Sequence, residues 1–170
     1  DENGVVNSIG KIPGSRQVSF AYSFNTQAVV SDGRMWLYDG TTLTEVTDPD
    51  LGNPIDITWI DNYYFLTDGE FVYHTDITNE SSIDSLKFAT SEFSTEPTLA
   101  VDKTSDDQVV IFDRYTTVYM INQATDDFAF KWVKGKTIKV VIVGTHCETE
   151  LEGNFYILGG GKEESPSVHL

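Results

Sequence analysis

One cysteine in 170 residues, Cys147, leaves no partner for an internal disulfide. The fold must therefore be held by packing rather than by covalent staples, and the thiol is expected to serve as a small buried hydrophobe. Long apolar runs are also missing: none approaches the ~20 residues of a membrane-spanning helix, and no targeting segment is visible. Helical periodicity is nearly absent. The best stretch, "ITNESSIDSLKFA" (77–89), sets Ile83, Leu86 and Phe88 on one side and predicts a single short turn. Positive charge is scarce, with 11 Lys+Arg against 27 Asp+Glu and a net charge of −16. That balance argues against a grip on nucleic acid by phosphate neutralisation.

The acidity is uneven. Residues 1–130 hold 6 basic against 22 acidic side chains, whereas residues 131–170 hold 5 of each. Within that second part, "KWVKGKTIK" gathers Lys131, Lys134, Lys136 and Lys139 in nine residues. A solvated strand–loop–strand explains such a run, and a docking patch for an acidic neighbour is the sharper alternative. These four lysines are the only candidate site residues, as a partner-docking surface.

What the chain does contain is one phrase repeated. "VVSDGRMWLYDG" (29–40) is an apolar strand, Asp-Gly, then a second apolar strand. "YFLTDGEFVYHTD" (64–76) repeats it, "VVIFDRYTTVYMIN" (109–122) loosens it, and "FYILGGGKEESPSVHL" (155–170) ends on it. Turn formers punctuate the strands at Asp32-Gly33, Asp39-Gly40, Asp61-Asn62, Asp68-Gly69 and Glu152-Gly153. The strands are apolar on both sides. Met35 and Leu37 oppose Trp36 and Tyr38, and Tyr63 and Phe65 oppose Tyr64 and Leu66. A sheet with one wet face would alternate apolar with polar, so these sheets are covered on both faces.

Spacing then selects the architecture. Gly33 to Gly69 is 36 residues, Gly69 to Arg114 is 45 and Arg114 to Gly160 is 46. Periods of roughly 40–50 residues with four strands each suit propeller blades. The expectation is an all-β, β-propeller-like fold of repeated antiparallel meanders, with blades near 18–48, 55–90, 97–131 and 140–170. Strands are placed at 86–90, 128–133 and 138–143 among others. A β-sandwich is the alternative. The whole of 1–170 reads as a single all-β region, and as a central excerpt of a longer chain.

Motifs that carry chemistry fail one by one. His74, His146 and His169 lack further ligands at zinc spacing. "TDPDLGNPID" (47–56) and "DKTSDD" (102–107) lack the frame of a calcium loop. In "LGGGK" (158–162) the lysine is followed by two glutamates rather than Ser or Thr, so no phosphate loop is formed. "NES" at 79–81 matches a glycosylation acceptor by chance. Paired carboxylates are unavoidable in so acidic a chain, which makes a glycosidase reading weak. No catalytic residue, cofactor or metal is expected.

The order of the phrases carries a resemblance. "NTQAVVSDGRMWLYDG", "PIDITWIDNYYFLTDGEFVYHTDI", "DQVVIFDRYTTVYMIN" and "VGTHCETELEGNFYILGGGKEESPSVHL" together resemble the packaged-DNA stabilisation proteins of short-tailed bacteriophages. These are also called tail accessory factors or nozzle-type tail hub proteins. The resemblance covers residues 18–170, about the middle third of a typical member. It implies a structural virion protein, assembled in the host cytoplasm as a homo-oligomeric ring below the portal and its adaptor. That ring would retain packaged DNA, join the head to the tail needle and tailspikes, and pass DNA only transiently on ejection, with no membrane partner and no catalysis. The reading from a different class is a carbohydrate-binding propeller module that stacks glycans on exposed aromatics.

Overall fold

The computed structural model describes residues 4, 6–90, 96–139, 142–160 and 165–170, all in strands, turns and extended segments. The first sheet is β1 (Val18–Tyr22), β2 (Gln27–Ser31), β3 (Arg34–Tyr38) and β4 (Leu43–Glu45). The second is β5 (Asp56–Ile60), β6 (Tyr63–Thr67), β7 (Val72–Asp76) and β8 (Asn79–Ala89). The third is β9 (Thr98–Lys103), β10 (Val109–Asp113), β11 (Thr117–Asn122) and β12 (Phe130–Ile138). β13 (Glu148–Leu151), β14 (Asn154–Gly159) and β15 (Ser167–His169) form the fourth. Each sheet is an antiparallel meander in chain order, and the four are arranged as the blades of a β-propeller. Neighbouring blades meet through their first strands, β1 against β5 and β5 against β9.

Three apolar clusters join the blades in sequence, and alternation along each strand builds them. In β6, Tyr64 and Leu66 point back to Met35, Val30 and Ala28 of the first blade. The residues between them, Tyr63 and Phe65, point forward to Val109, Ile111 and Phe130 of the third. On β10 the same switch sends Val110 and Phe112 to Ile142 and Ile157 of the fourth. Both faces of a middle blade are thus interior, which is why apolar residues run consecutively along β6 and β10. A two-sheet sandwich would give one shared core instead of this chain of three.

The periodicity of the sequence has a direct structural origin. Gly33, Gly69, Arg114 and Gly160 all fall between the second and third strands of their blades. At Asp32-Gly33 the φ angles are 53° and 75°, at Asp61-Asn62 50° and 67°, and at Glu152-Gly153 53° and 78°. Positive φ at both central residues is the tight hairpin turn whose twist matches that of the flanking strands.

Three placements differ from the sequence reading. Residues 79–89 are strand β8, not a helical turn, because Ala89, Phe88 and Ile83 pair with Val72, Tyr73 and Thr75 through register shifts that hide the alternation. β12 continues to Ile138, past residue 131, carried by a register shift opposite Val118–Met120. The first strand of blade four is β13, at 148–151. Of the strand expected at 138–143, residues 140–141 lie outside the described set, and Ile142 makes an isolated bridge to Gly159.

Candidate functional site

The first strands bring polar side chains together where the blades converge. Ser19 comes from β1, Asp56 from β5, Asp102 from β9 and Glu148 from β13, with His146 just ahead. Asp56 is 4% exposed and accepts a hydrogen bond at Oδ2 from the Val101 amide at 2.9 Å. Ser19 Oγ lies 2.7 Å from His146 Nε2, which in turn lies 4.0 Å from Asp56 Oδ1. Burial raises the Asp56 carboxyl above its ordinary range, opposed by hydrogen bonds from Ser19 and Val101. Burial also pushes Asp102 up to about 6, with Asp56 and Glu150 adding to the rise. Glu148 reaches about 8, through burial first and then the nearby charges of Asp56 and Asp102. Its Oε2 is buried without a hydrogen-bond partner.

In this axial cluster Asp56 is buried, Asp102 and Glu148 are half-buried and His146 is exposed. The three grooves described on the protein are lined by other residues. Among the described residues, no three His, Cys, Asp or Glu side chains are placed to hold a metal ion. The carboxylates feel one another's charge without converging on a shared ligand point. No feature of the sequence set Asp56, Asp102 and Glu148 apart from the other acids, because only the blade register brings them to one axis.

The other histidines are structural in their surroundings. His74 Nδ1 donates to the Thr75 carbonyl at 2.8 Å, while Nε2 accepts the Ala129 amide at 3.2 Å. Acceptance at Nε2 requires the neutral ring, and burial lowers its pKa against the opposing effect of the Thr75 bond. His169 Nε2 sits 3.1 Å from the Gly159 carbonyl on the adjoining strand. Cys147 is half-buried against the cluster joining blades three and four.

The four lysines do not form one patch. Lys131 and Lys134 are exposed and line a groove of ≈ 560 Å³ with Met120, Phe130 and Trp132, at the rim between blades two and three. Lys136 is turned to the opposite side, its Nζ 3.9 Å from the Tyr119 ring centroid and 2.7 Å from Gln108 Oε1. Lys139 is exposed just beyond β12. The register shift in the β11–β12 pairing produces this division: Met120 pairs with Trp132 and Val118 with Thr137, so the alternation that would set Lys134 and Lys136 on one face is broken between them.

Comparison with solved structures finds the fold again. The crystal structure of the computationally designed Ika4 protein aligns with a TM-score of 0.55 over 97% of this chain and 98% of its own. At 16% identity that likeness speaks for fold alone. No curated protein sequence matches the chain. A family model described as "Bacteriophage P22 Gp10, beta-propeller" matches residues 1–170, the whole chain. The chain belongs to this family of phage DNA-stabilisation proteins.

Proposed function

We propose that the protein works as a tail hub. In this reading, several copies assemble below the portal and adaptor, close the channel after packaging, link the head to the tail needle and tailspikes, and later admit the DNA on ejection. The observation that carries it is the whole-chain family match, and the four-bladed fold is in keeping with that match. The role is mechanical and non-catalytic. The net charge of −16 suits a passage through which DNA slides without sticking, because like charge repels phosphate.

The test adds the protein to DNA-filled heads that carry portal and adaptor but no tail, and follows DNA leakage. Leakage that stops, with the protein retained on the heads, supports the hub. Unchanged leakage with no binding overturns it. A second reading, glycan binding, is favoured by the exposure of Tyr22 and Phe24, at 77% and 89%. Saturable binding of host polysaccharide would put that reading first.

A further inference from the structure

The groove at the rim between blades two and three is an apolar trough with a cation on its flank. Trp132 supplies its apolar wall over the buried Phe130 and Met120, and Lys131 and Lys134 the charge. An occupant must therefore offer an apolar anchor beside one or two carboxylates, with no cation next to them. Ile77 is 52% exposed beside Asp76, but Asp76 Oδ1 is already engaged by the Thr78 amide and hydroxyl. Leu86 is exposed near Asp84 but is followed by Lys87, which would face the groove lysines. The β13–β14 hairpin fits better. Leu151 is 59% exposed between Glu150 and Glu152, and the turn is held by positive φ at Glu152 and Gly153. Four register pairs, from Glu148↔Ile157 to Leu151↔Asn154, keep that tip in place. A preformed tip loses little conformational freedom on docking.

We propose that the groove of one copy receives the Leu151–Glu152 hairpin tip of a second copy of this chain. Leu151 enters the trough against Trp132, and Glu152 meets Lys131 or Lys134. Groove and tip are different surfaces of the same molecule, so the contact is head-to-tail and each copy has one of each to give. Such contacts build rings when the rotation closes, and open chains otherwise. This assignment rests on the ring-assembly reading above and names the surfaces that would make it.

Sedimentation velocity on three proteins tests it: wild type, a groove variant (Lys131→Glu with Lys134→Glu) and a tip variant (Leu151→Ser with Glu152→Lys). All four positions are exposed, and melting curves check that the variants remain folded. Wild type should form species larger than dimers, while each variant alone should associate about ten-fold more weakly or worse. An equimolar mixture of the two variants keeps one intact groove and one intact tip, so it should give dimers and nothing larger. Monomeric wild type at high concentration, variants that assemble as wild type does, or a mixture that stays monomeric would each overturn the proposal. DNA retention by the groove variant on tailless heads separates the two ideas. If it seals heads and assembles like wild type, the groove assignment falls and the hub stands; if wild type itself seals nothing, the hub reading falls.

Discussion

Replacing Glu148 by Gln should make the protein more stable at neutral pH and leave it unchanged in mild acid. The carboxyl titrates at about 8 in the fold against an ordinary value of 4.5, and its Oε2 meets no partner. The folded protein therefore keeps a proton that the unfolded chain gives up above about pH 4.5. With the folded pKa raised, stability is complete below 4.5 and falls with rising pH until about 8, after which it is level. From 4.5 to 7, at ~1.4 kcal/mol per pH unit, the loss has a ceiling of about 3 kcal/mol. Glu148 is only partly buried, so screening by solvent brings the expected value nearer about 2 kcal/mol. Gln keeps the shape without the charge. For a domain of this size, the variant should melt about 4–8 °C higher at pH 7 and within about 1 °C of wild type at pH 4.5. Calorimetric melts from pH 4.5 to 8.5 supply the comparison. Asp102, raised to about 6, contributes its own slope to wild type, and the difference between the two proteins isolates Glu148. A melting difference that stays the same across the range would refute the reasoning.

Gly33→Ala should cost about 1–2 kcal/mol in urea unfolding, because φ is +75° and the new Cβ would stand 3.2 Å from Asn53 Oδ1. Tyr64→Phe should cost about 1–2 kcal/mol by the same assay. The buried hydroxyl donates to the Thr26 carbonyl at 2.8 Å and accepts the Ser23 amide at 3.2 Å, so its loss strands polar groups between blades one and two. His74, whose folded pKa is lowered, contributes stability that is lost as pH falls below its ordinary 6.5. Its NMR titration should show a midpoint below 6.5, and a midpoint at or above that value would contradict the assignment of Nε2 as an acceptor. Hydrogen exchange should find β6 and β10 slowest and β15 fastest, since the first two lie between neighbouring blades and the last is an exposed edge.

The fold was legible because burial on both faces writes itself into consecutive apolar residues. "YYFL" at 63–66 states that two neighbours exist, and the Asp-Gly turns state where each hairpin folds back. Legibility failed where that signal weakens. In β13, Glu148, Thr149 and Glu150 read as loop because this blade's first strand meets the polar axis rather than an apolar neighbour. In β8, register shifts broke the period of two, and the residue left over resembled a helical stripe. The lysine run showed its charge but not its division, since the pairing partner of β12 decides which lysine faces which way. The axial carboxylates were beyond reach for the same reason: they lie far apart in sequence, and only the blade register unites them.

The buried polar groups tie neighbouring blades together. Asp56 of blade two receives the Val101 amide of blade three. Tyr64 reaches back to Thr26, Tyr73 to the Leu51 carbonyl between blades one and two, and His74 forward to Ala129. Thr145 donates to the Leu99 carbonyl, tying the fourth blade to the third. Each bond links one blade to the next or to the connection between them, and each satisfies a group whose isolation in the interior would be costly. The seam between blades four and one is different: among the described residues it has no apolar cluster, and Phe20 and Tyr22 are 62% and 77% exposed on the first blade's free face. There Ser19 Oγ and His146 Nε2, 2.7 Å apart, make a polar tie. Among the described residues, the propeller is therefore joined by apolar clusters along three interfaces and by a polar contact at the fourth.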